Sequence, residues 1–338
     1  MTGQVPIEPK AARGETNHEM VWRAPPLGTL RTGYLRMSFA KRVFRKLPLN
    51  VKSRAVKTLN LIESLTPTRR FFTRAAAMSV VEISVRGEYG IITHSTSDRH
   101  MLPTYAKTGR WNHEMNERLT SFFAKDGGTY IDVGANIGLT TIPTAQNPNV
   151  NVIAFEPDPS NFHFLSLNVA RNCKHNNVAL HRLAAFREKT TLSFELSPDN
   201  LGNHRIRLHD KDGLLNEHQR KTITVDANRL DDVVSVRRRP LAIKIDTEGA
   251  ESFVIEGGPR LLAEAEVFFT EIWPYGIARA GGDIEVIAKL IRENFSTFVV
   301  PSDFGPGRML ADSAEDFLLP LVKRSSDPWF HFDLVATK

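Results

Sequence analysis

The chain predicts an α/β fold: a mostly parallel sheet of seven strands with helices on both faces, preceded by a helical extension. Three observations predict it. The run Thr129-Tyr-Ile-Asp-Val-Gly-Ala-Asn-Ile-Gly-Leu139 reads as a buried strand that ends in a glycine-spaced turn and opens a helix. A second strand, Asn151-Val-Ile-Ala-Phe155, ends in the carboxylate of Glu156, 24 residues after Asp132. From Thr129 onward, short apolar runs of strand length alternate with helical patterns to the end of the chain.

Taken in order, residues 1–30 are polar and bear Pro and Gly, a composition that predicts disorder. Residues 31–78 read as short basic helices, and residues 80–96 as a hairpin turned between Gly87 and Gly90, so that 31–110 form an extension. The main domain is expected over 111–338 and opens with a helix over 111–125 that carries Met115, Leu119, Phe122 and Phe123 on one face. Strand Tyr130–Val133 leads into a helix from Ile137. Strand Val152–Phe155 leads into a helix from Pro159 to Asn172, with proline in the first turn, where its missing N–H costs nothing. A strand over Val178–Leu183 is followed by extra extended stretches, Thr190–Leu196 and Lys221–Val225. Strand Leu241–Asp246 precedes a helix over 250–263, and strand Val267–Glu271 precedes a helix over 284–295. Strands 297–300 and 330–335 close the series. Right-handed crossovers bring the C-terminal ends of the parallel strands to one rim, where ligands bind. Asp132, Glu156, Asp246 and Glu271 all end strands on that rim.

The glycine spacing selects the ligand class. A dinucleotide loop needs glycines at positions 1, 3 and 6 of the turn. Counted from Gly134, position 3 is Asn136 and position 6 is Leu139. The pattern Asp132-x-Gly134-x-Asn136-x-Gly138 lacks two of the three, and no Gly-Lys-Ser/Thr follows to make a phosphate loop. Asn tolerates positive φ and can take the middle of the turn. The turn suits a cofactor with an amino acid end and a ribose but no phosphates, and S-adenosylmethionine fits. Asp132 is expected near its cationic end, Gly134 and Gly138 to admit close approach, and Glu156 to accept hydrogen bonds from the ribose hydroxyls.

Composition sets bounds. Cys173 is the only cysteine, which excludes an intramolecular disulfide and suits a reducing compartment. No apolar run is long enough to span a bilayer, and residues 1–26 lack a secretory pattern, so a cytoplasmic location is expected. The net charge is +6, and it is uneven: from Arg31 to Val80 there are twelve Lys/Arg and one acid, Glu63. Such a segment packs as a solvated helix pair, lies on an anionic membrane surface, or binds nucleic acid without sequence preference.

The motifs together resemble the FkbM family of S-adenosylmethionine-dependent methyltransferases. The matching residues are Ile131-Asp-Val-Gly-Ala-Asn-Ile-Gly138, Phe155-Glu-Pro157 with Phe162, Leu165 and Asn168, Ile243-Lys-Ile-Asp-Thr-Glu-Gly-Ala-Glu251, and the strand end Glu271-Ile272. The resemblance covers about residues 115–338. It implies a class I, Rossmann-like methyltransferase fold, an adenine contact near Ala184, and O-methylation of a hydroxyl on a sugar, glycolipid or polyketide.

Methyl transfer to a hydroxyl needs in-line placement and gains from a base. Asp246 ends the strand next to the first, facing the methyl group, and it or Glu248 is the expected base or hydroxyl orienter. Gly249 lets that turn approach the ligand, and Glu251 starts the next helix. Lys244 shares a face with Asp246 and reads either as a buried ion-pair partner or as a substrate contact. Glu271 and Trp273 are expected to line the acceptor, with Trp273 and Tyr275 as apolar wall. His204, in the insertion between the third and fourth strands, reads as a base or binder over the substrate. Asp246 and Glu271 could share a Mg²⁺ ion, but no third acid or amide follows Glu271, and no metal is assigned. The resulting reading is an O-methyltransferase acting on a saccharide or glycolipid. Its alternatives are an RNA methyltransferase and a non-catalytic, membrane-associated module that keeps the cofactor fold.

Overall fold

A computed structural model describes residues 21–23, 67–77, 81–198, 200–208, 213–236 and 238–338. The expected basic helices over 31–66 lie outside the described residues. Within the stretch expected to be disordered, Val21–Arg23 form a strand. The strands in chain order are β1 Val21–Arg23, β2 Glu82–Gly87, β3 Gly90–Ser95, β4 Gly128–Val133, β5 Val150–Phe155, β6 Val178–His181, β7 Ala184–Ala185, β8 Thr190–Leu196, β9 Arg205–Ile206, β10 Lys221–Asn228, β11 Leu241–Ile245, β12 Val267–Ile272, β13 Thr297–Val299, β14 Arg308–Leu310 and β15 Phe332–Thr337.

The main sheet runs β14-β13-β15-β12-β11-β4-β5-β6. Strands β6, β5, β4, β11 and β12 pair in parallel, and β15 inserts antiparallel between β12 and β13. That is the doubly wound class I methyltransferase arrangement. It holds the seven expected strands and an eighth, β14, a three-residue edge strand too short to show a period in sequence. Every residue of β4 and of β11 is buried. That is why both read as apolar runs, and why the two charges they carry, Asp132 and Lys244, must meet: the register sets them side by side.

Several elements depart from expectation for local reasons. The helix expected from Ile137 begins only at Thr141, because Asn136 and Gly138 hold positive φ and keep the chain turning. The helix expected over 250–263 is two, Glu251–Gly257 and Pro259–Glu264, since Pro259 cannot donate within a continuous helix. Helices Met101–Thr108 and Pro274–Ala280 were not legible as periods. The extra extended stretches build a separate sheet, β7-β10-β8-β9, whose apolar face packs on Phe253 and Ala280.

The boundary expected at residue 111 is not a break in the packing. Ile83, Val85 and Ile92 of the hairpin, with Leu102 and Tyr105, share one buried cluster with Ile137, Leu139, Ile142, Phe164 and Leu165 of the cofactor half. Two asparagines on the helix Pro159–Asn172 fasten the hairpin. Asn168 accepts from the Thr93 N–H (2.8 Å) and donates to the Thr93 carbonyl (3.0 Å). Asn172 does the same with Ile91 (2.9 and 2.8 Å). One helical turn apart, they pair with alternate residues of β3 as a neighbouring strand would.

Candidate active site

The turn after β4 is fixed from three sides. The Gly134 and Ala135 N–H groups both donate to the Phe155 carbonyl (3.0 and 2.9 Å). Gly134 sits at φ +79°, and a Cβ there would lie 1.9 Å from the Asp246 carbonyl oxygen. The close approach that requires this glycine is therefore the chain leaving β11. Gly138, at φ +93°, faces Leu165 and Ile142 and makes a packing contact, so its expected cofactor contact is replaced by a helix contact.

Asp132 also differs from expectation. It is fully buried, and its oxygens accept from Thr140 Oγ1 (2.7 Å), Thr141 Oγ1 (2.7 Å) and Lys244 Nζ (3.2 Å). It anchors the turn from behind. Lys244 uses its three protons on Asp132, the Gly134 carbonyl (3.1 Å) and Asp246 Oδ2 (3.4 Å). Burial alone would depress its pKa, but the Asp132 and Asp246 carboxylates outweigh burial and raise it. With every donor engaged, Lys244 is a structural cation rather than a substrate contact.

Beside this turn lies a cavity of about 1120 Å³. Gly134, Asn136, Glu156, Ala184, Lys244, Asp246, Glu248, Glu271, Trp273 and His204 all line it, so the structure brings these expected site residues together. Asn136, at φ +50°, donates its N–H to Glu156 Oε2 (3.0 Å), and the Asp158 N–H holds Oε1 (2.8 Å). Burial pushes the Glu156 carboxyl up to about 8, against those two N–H groups. His100, Met101 and Thr104 of the N-terminal layer wall the same cavity.

At the far end, Asp246, Glu248 and Glu271 each place a carboxylate oxygen within 4.8 Å of the others. The third acid therefore comes from the turn after β11, not from the chain after Glu271. Each already has a protein partner: Lys244 for Asp246, Asn203 Nδ2 for Glu248 (2.8 Å) and His331 Nδ1 for Glu271 (2.7 Å). Burial, then the charge of Glu271, raises the pKa of Asp246 against the pull of Lys244. Burial with the Glu271 and Asp246 charges lifts Glu248 well above the carboxylate range. Its neighbour Glu251 is fully buried and holds the turn, with Oε1 accepting from the Thr247 and Gly249 N–H groups (2.9 and 3.1 Å).

His204 accepts the Ser197 N–H on Nδ1 (2.9 Å). Burial lowers its pKa, and the charges that act on it are Asp158 and Arg220. Asp158 belongs to the ribose-side turn, and His204 lines the cavity next in sequence to Asn203, the partner of Glu248. Trp273 donates Nε1–H to the Pro328 carbonyl (3.1 Å) and has the Arg205 guanidinium over its ring at 4.9 Å. Tyr275 is turned away, with its hydroxyl on Glu217 (2.6 Å).

Comparison with known proteins agrees with this geometry. Residues 132–292 match the methyltransferase FkbM domain. Residues 132–292 are an FkbM methyltransferase domain. Methyltransferase sdnD of Sordaria araneosa is 29% identical over 153 residues, which cover 38% of this chain and 59% of that protein. The chain thus spans less than two thirds of that relative. Among solved structures, M. jannaschii TYW2 in complex with AdoMet aligns over 76% of this chain and 85% of its own at 16% identity and a TM-score of 0.37. The magnesium protoporphyrin IX methyltransferase ChlM of Synechocystis PCC 6803 aligns over 67% and 77% at 12% identity and a TM-score of 0.35. These scores are too low to assign a fold, which rests on the strand order.

S-adenosylmethionine is the cofactor of the FkbM domain. The residues present fit it. The Oδ1 atoms of Asn136 and Asn161 are buried with no donor, in side chains that line the cavity beside Glu156. The cofactor's ammonium, ribose hydroxyls and adenine amine are donors. Sequence reading missed Asn161, Asn203 and His331. Asn161 stands three residues beyond the N-cap Asp158 and was hidden as an ordinary helix residue. The other two reach the FkbM site only through tertiary folding, and no local pattern marks them.

Proposed function

We propose that this protein transfers a methyl group from S-adenosylmethionine to a hydroxyl oxygen of a saccharide or glycolipid. The observation that carries the reading is the group Asp246, Glu248 and Glu271 at the end of the cofactor cavity. Carboxylates accept hydrogen bonds from sugar hydroxyls, and Trp111, Trp273 and Trp329 line the same space with flat apolar surface. Six acids, Glu156, Asp246, Glu248, Glu271, Asp303 and Asp333, line this cavity, which opposes a phosphodiester acceptor.

Bound there, S-adenosylmethionine supplies a methyl group on a positively charged sulfur and leaves as S-adenosylhomocysteine. Glu156 and Asn136 hold the ribose end. Glu248 and Glu271 orient the acceptor. Asp246, with its side chain 42% exposed, takes the hydroxyl proton as the new O–CH₃ bond forms and the S–CH₃ bond breaks. Lys244, 3.4 Å from Asp246 Oδ2, opposes the rise in the Asp246 pKa.

Transfer of labelled methyl from S-adenosylmethionine into cell-envelope glycan, and not into RNA, is the expected result. Label in RNA alone would overturn the acceptor class. In the Asp246→Asn protein, cofactor affinity by calorimetry stays within about twofold and turnover falls at least about a hundredfold. Unchanged turnover in that variant would remove the base assignment.

A further inference from the structure

We propose that Asn203 is a positioning residue that fixes the Glu248 carboxylate against the acceptor. The proposal rests on the reading of Glu248 as a hydroxyl orienter. Asn203 lies between β8 and β9. Its Oδ1 accepts from Arg205 Nη1 (3.2 Å) and Arg220 Nη2 (2.9 Å), and Arg220 Nη1 donates to its backbone carbonyl (2.9 Å). Two guanidinium donors on one atom decide which end of the amide is oxygen, an orientation that is ambiguous in most asparagines. The amide nitrogen is thereby directed at Glu248 Oε2, 2.8 Å away.

The arginines are themselves held by buried carboxylates. Arg205 bonds Glu195 Oε1 (2.7 Å) and Glu217 Oε1 (2.8 Å), both fully buried. Arg207 (3.0 Å) and Arg279 (3.1 Å) bond Glu195 Oε2. Tyr275 donates to Glu217, and Arg205 lies over Trp273. Four arginines against two glutamates leave an excess of positive charge under the acceptor wall, and burying it costs more than an apolar core of that size. That charge acts on the cavity through space: Arg205 favours ionisation of Glu248, and Glu248 favours the cationic form of Arg220.

Two further contacts make the placement specific. Glu248 adopts φ +57°, a strained backbone for an L side chain, and Gly249 beside it is pressed on the Gly276 backbone, where a Cβ would lie 2.5 Å away. Two residues before Asn203, the Leu201 carbonyl accepts from Asn136 Nδ2 (3.1 Å) and Asn161 Nδ2 (3.0 Å). One loop is thus tied to the cofactor turn at Leu201 and to the acceptor carboxylate at Asn203. It sets the distance between the two half-sites.

Asn203→Asp keeps an oxygen for the arginines and replaces the donor that faces Glu248 with a second oxygen, so the variant folds. Asn203→Leu removes both contacts. Full-length proteins are crystallised with S-adenosylhomocysteine and assayed with the acceptor found by methyl labelling. In both variants the Glu248 side chain leaves its wild-type position, kcat falls about tenfold or more, and acceptor KM and S-adenosylmethionine Kd change by no more than about twofold. An unmoved Glu248 in either crystal structure, or wild-type kcat, overturns the proposal. Glu248→Gln separates the two readings. If it loses turnover while the Asn203 variants keep it, only the positioning role fails; if it keeps full turnover, Glu248 is no orienter and the proposal falls with that reading.

Discussion

Glu156 carries a proton in the free protein over a pH range where an ordinary glutamate does not. Burial moves its pKa from 4.5 to about 8. In the unfolded chain it ionises near 4.5, so the folded state binds more protons between those values, and this group's contribution to stability declines as pH rises through the interval. Ribose hydroxyls donate to the ionised form and favour it. Cofactor binding then expels a proton below pH 8, and affinity strengthens with pH up to about 8 and levels above it. Calorimetry in buffers of different ionisation enthalpy reads the released proton directly. Glu156→Gln is expected to weaken S-adenosylmethionine about tenfold to a hundredfold and to flatten the pH dependence. Lys244 gives a second residue-level prediction. Lys244→Met leaves Asp132 buried beside two threonine hydroxyls without its cation. The expected loss is about 3–5 kcal/mol in denaturant unfolding. A substrate contact alone would weaken binding and leave stability intact.

The helix Pro159–Asn172 shows which elements a sequence discloses and which it hides. Its start was legible because Asp158 caps it and Pro159 sits in its first turn, both local effects. The cofactor turn was legible for the same reason: positive φ at Gly134, Asn136 and Gly138 writes itself into residue type. Met101–Thr108 and Thr141–Ala145 are too short for a period and contain Pro103 and Pro143. Asn168 was visible as a motif residue, but its work is tertiary. It bonds both backbone groups of Thr93 and, through Nδ2, the Ile137 carbonyl (3.0 Å), so it joins the hairpin to the cofactor turn. Asn168→Leu strands an N–H and two carbonyls in the interior, at about 1–3 kcal/mol for an unsatisfied group. Faster amide exchange at Thr93 and a lowered midpoint of unfolding are expected together. A lowered midpoint without faster exchange at Thr93 would mean that the hairpin is held by its apolar face alone.

On the scale of the molecule, the division between an extension and a methyltransferase domain at residue 111 followed composition and motif, which stop where the family resemblance stops. Packing does not stop there. The hairpin and the helix Met101–Thr108 bury Ile137, Leu139, Phe164 and Leu165, and they supply His100, Met101 and Thr104 to the wall of the cofactor cavity. A protein starting at residue 111 would keep every motif of the FkbM domain. It would also expose that apolar cluster, remove one wall of the cavity, and leave the Asn168 and Asn172 side chains without the β3 backbone they pair with. An exposed cluster of this kind drives association of the chain with itself. The expected outcome for the 111–338 fragment is aggregation on expression and no calorimetric binding of S-adenosylhomocysteine, under conditions in which the full chain binds it. A monomeric fragment that bound the cofactor with the affinity of the full chain would make the N-terminal layer an accessory. Loss of binding would make it part of the catalytic unit, although no residue in it belongs to a methyltransferase motif.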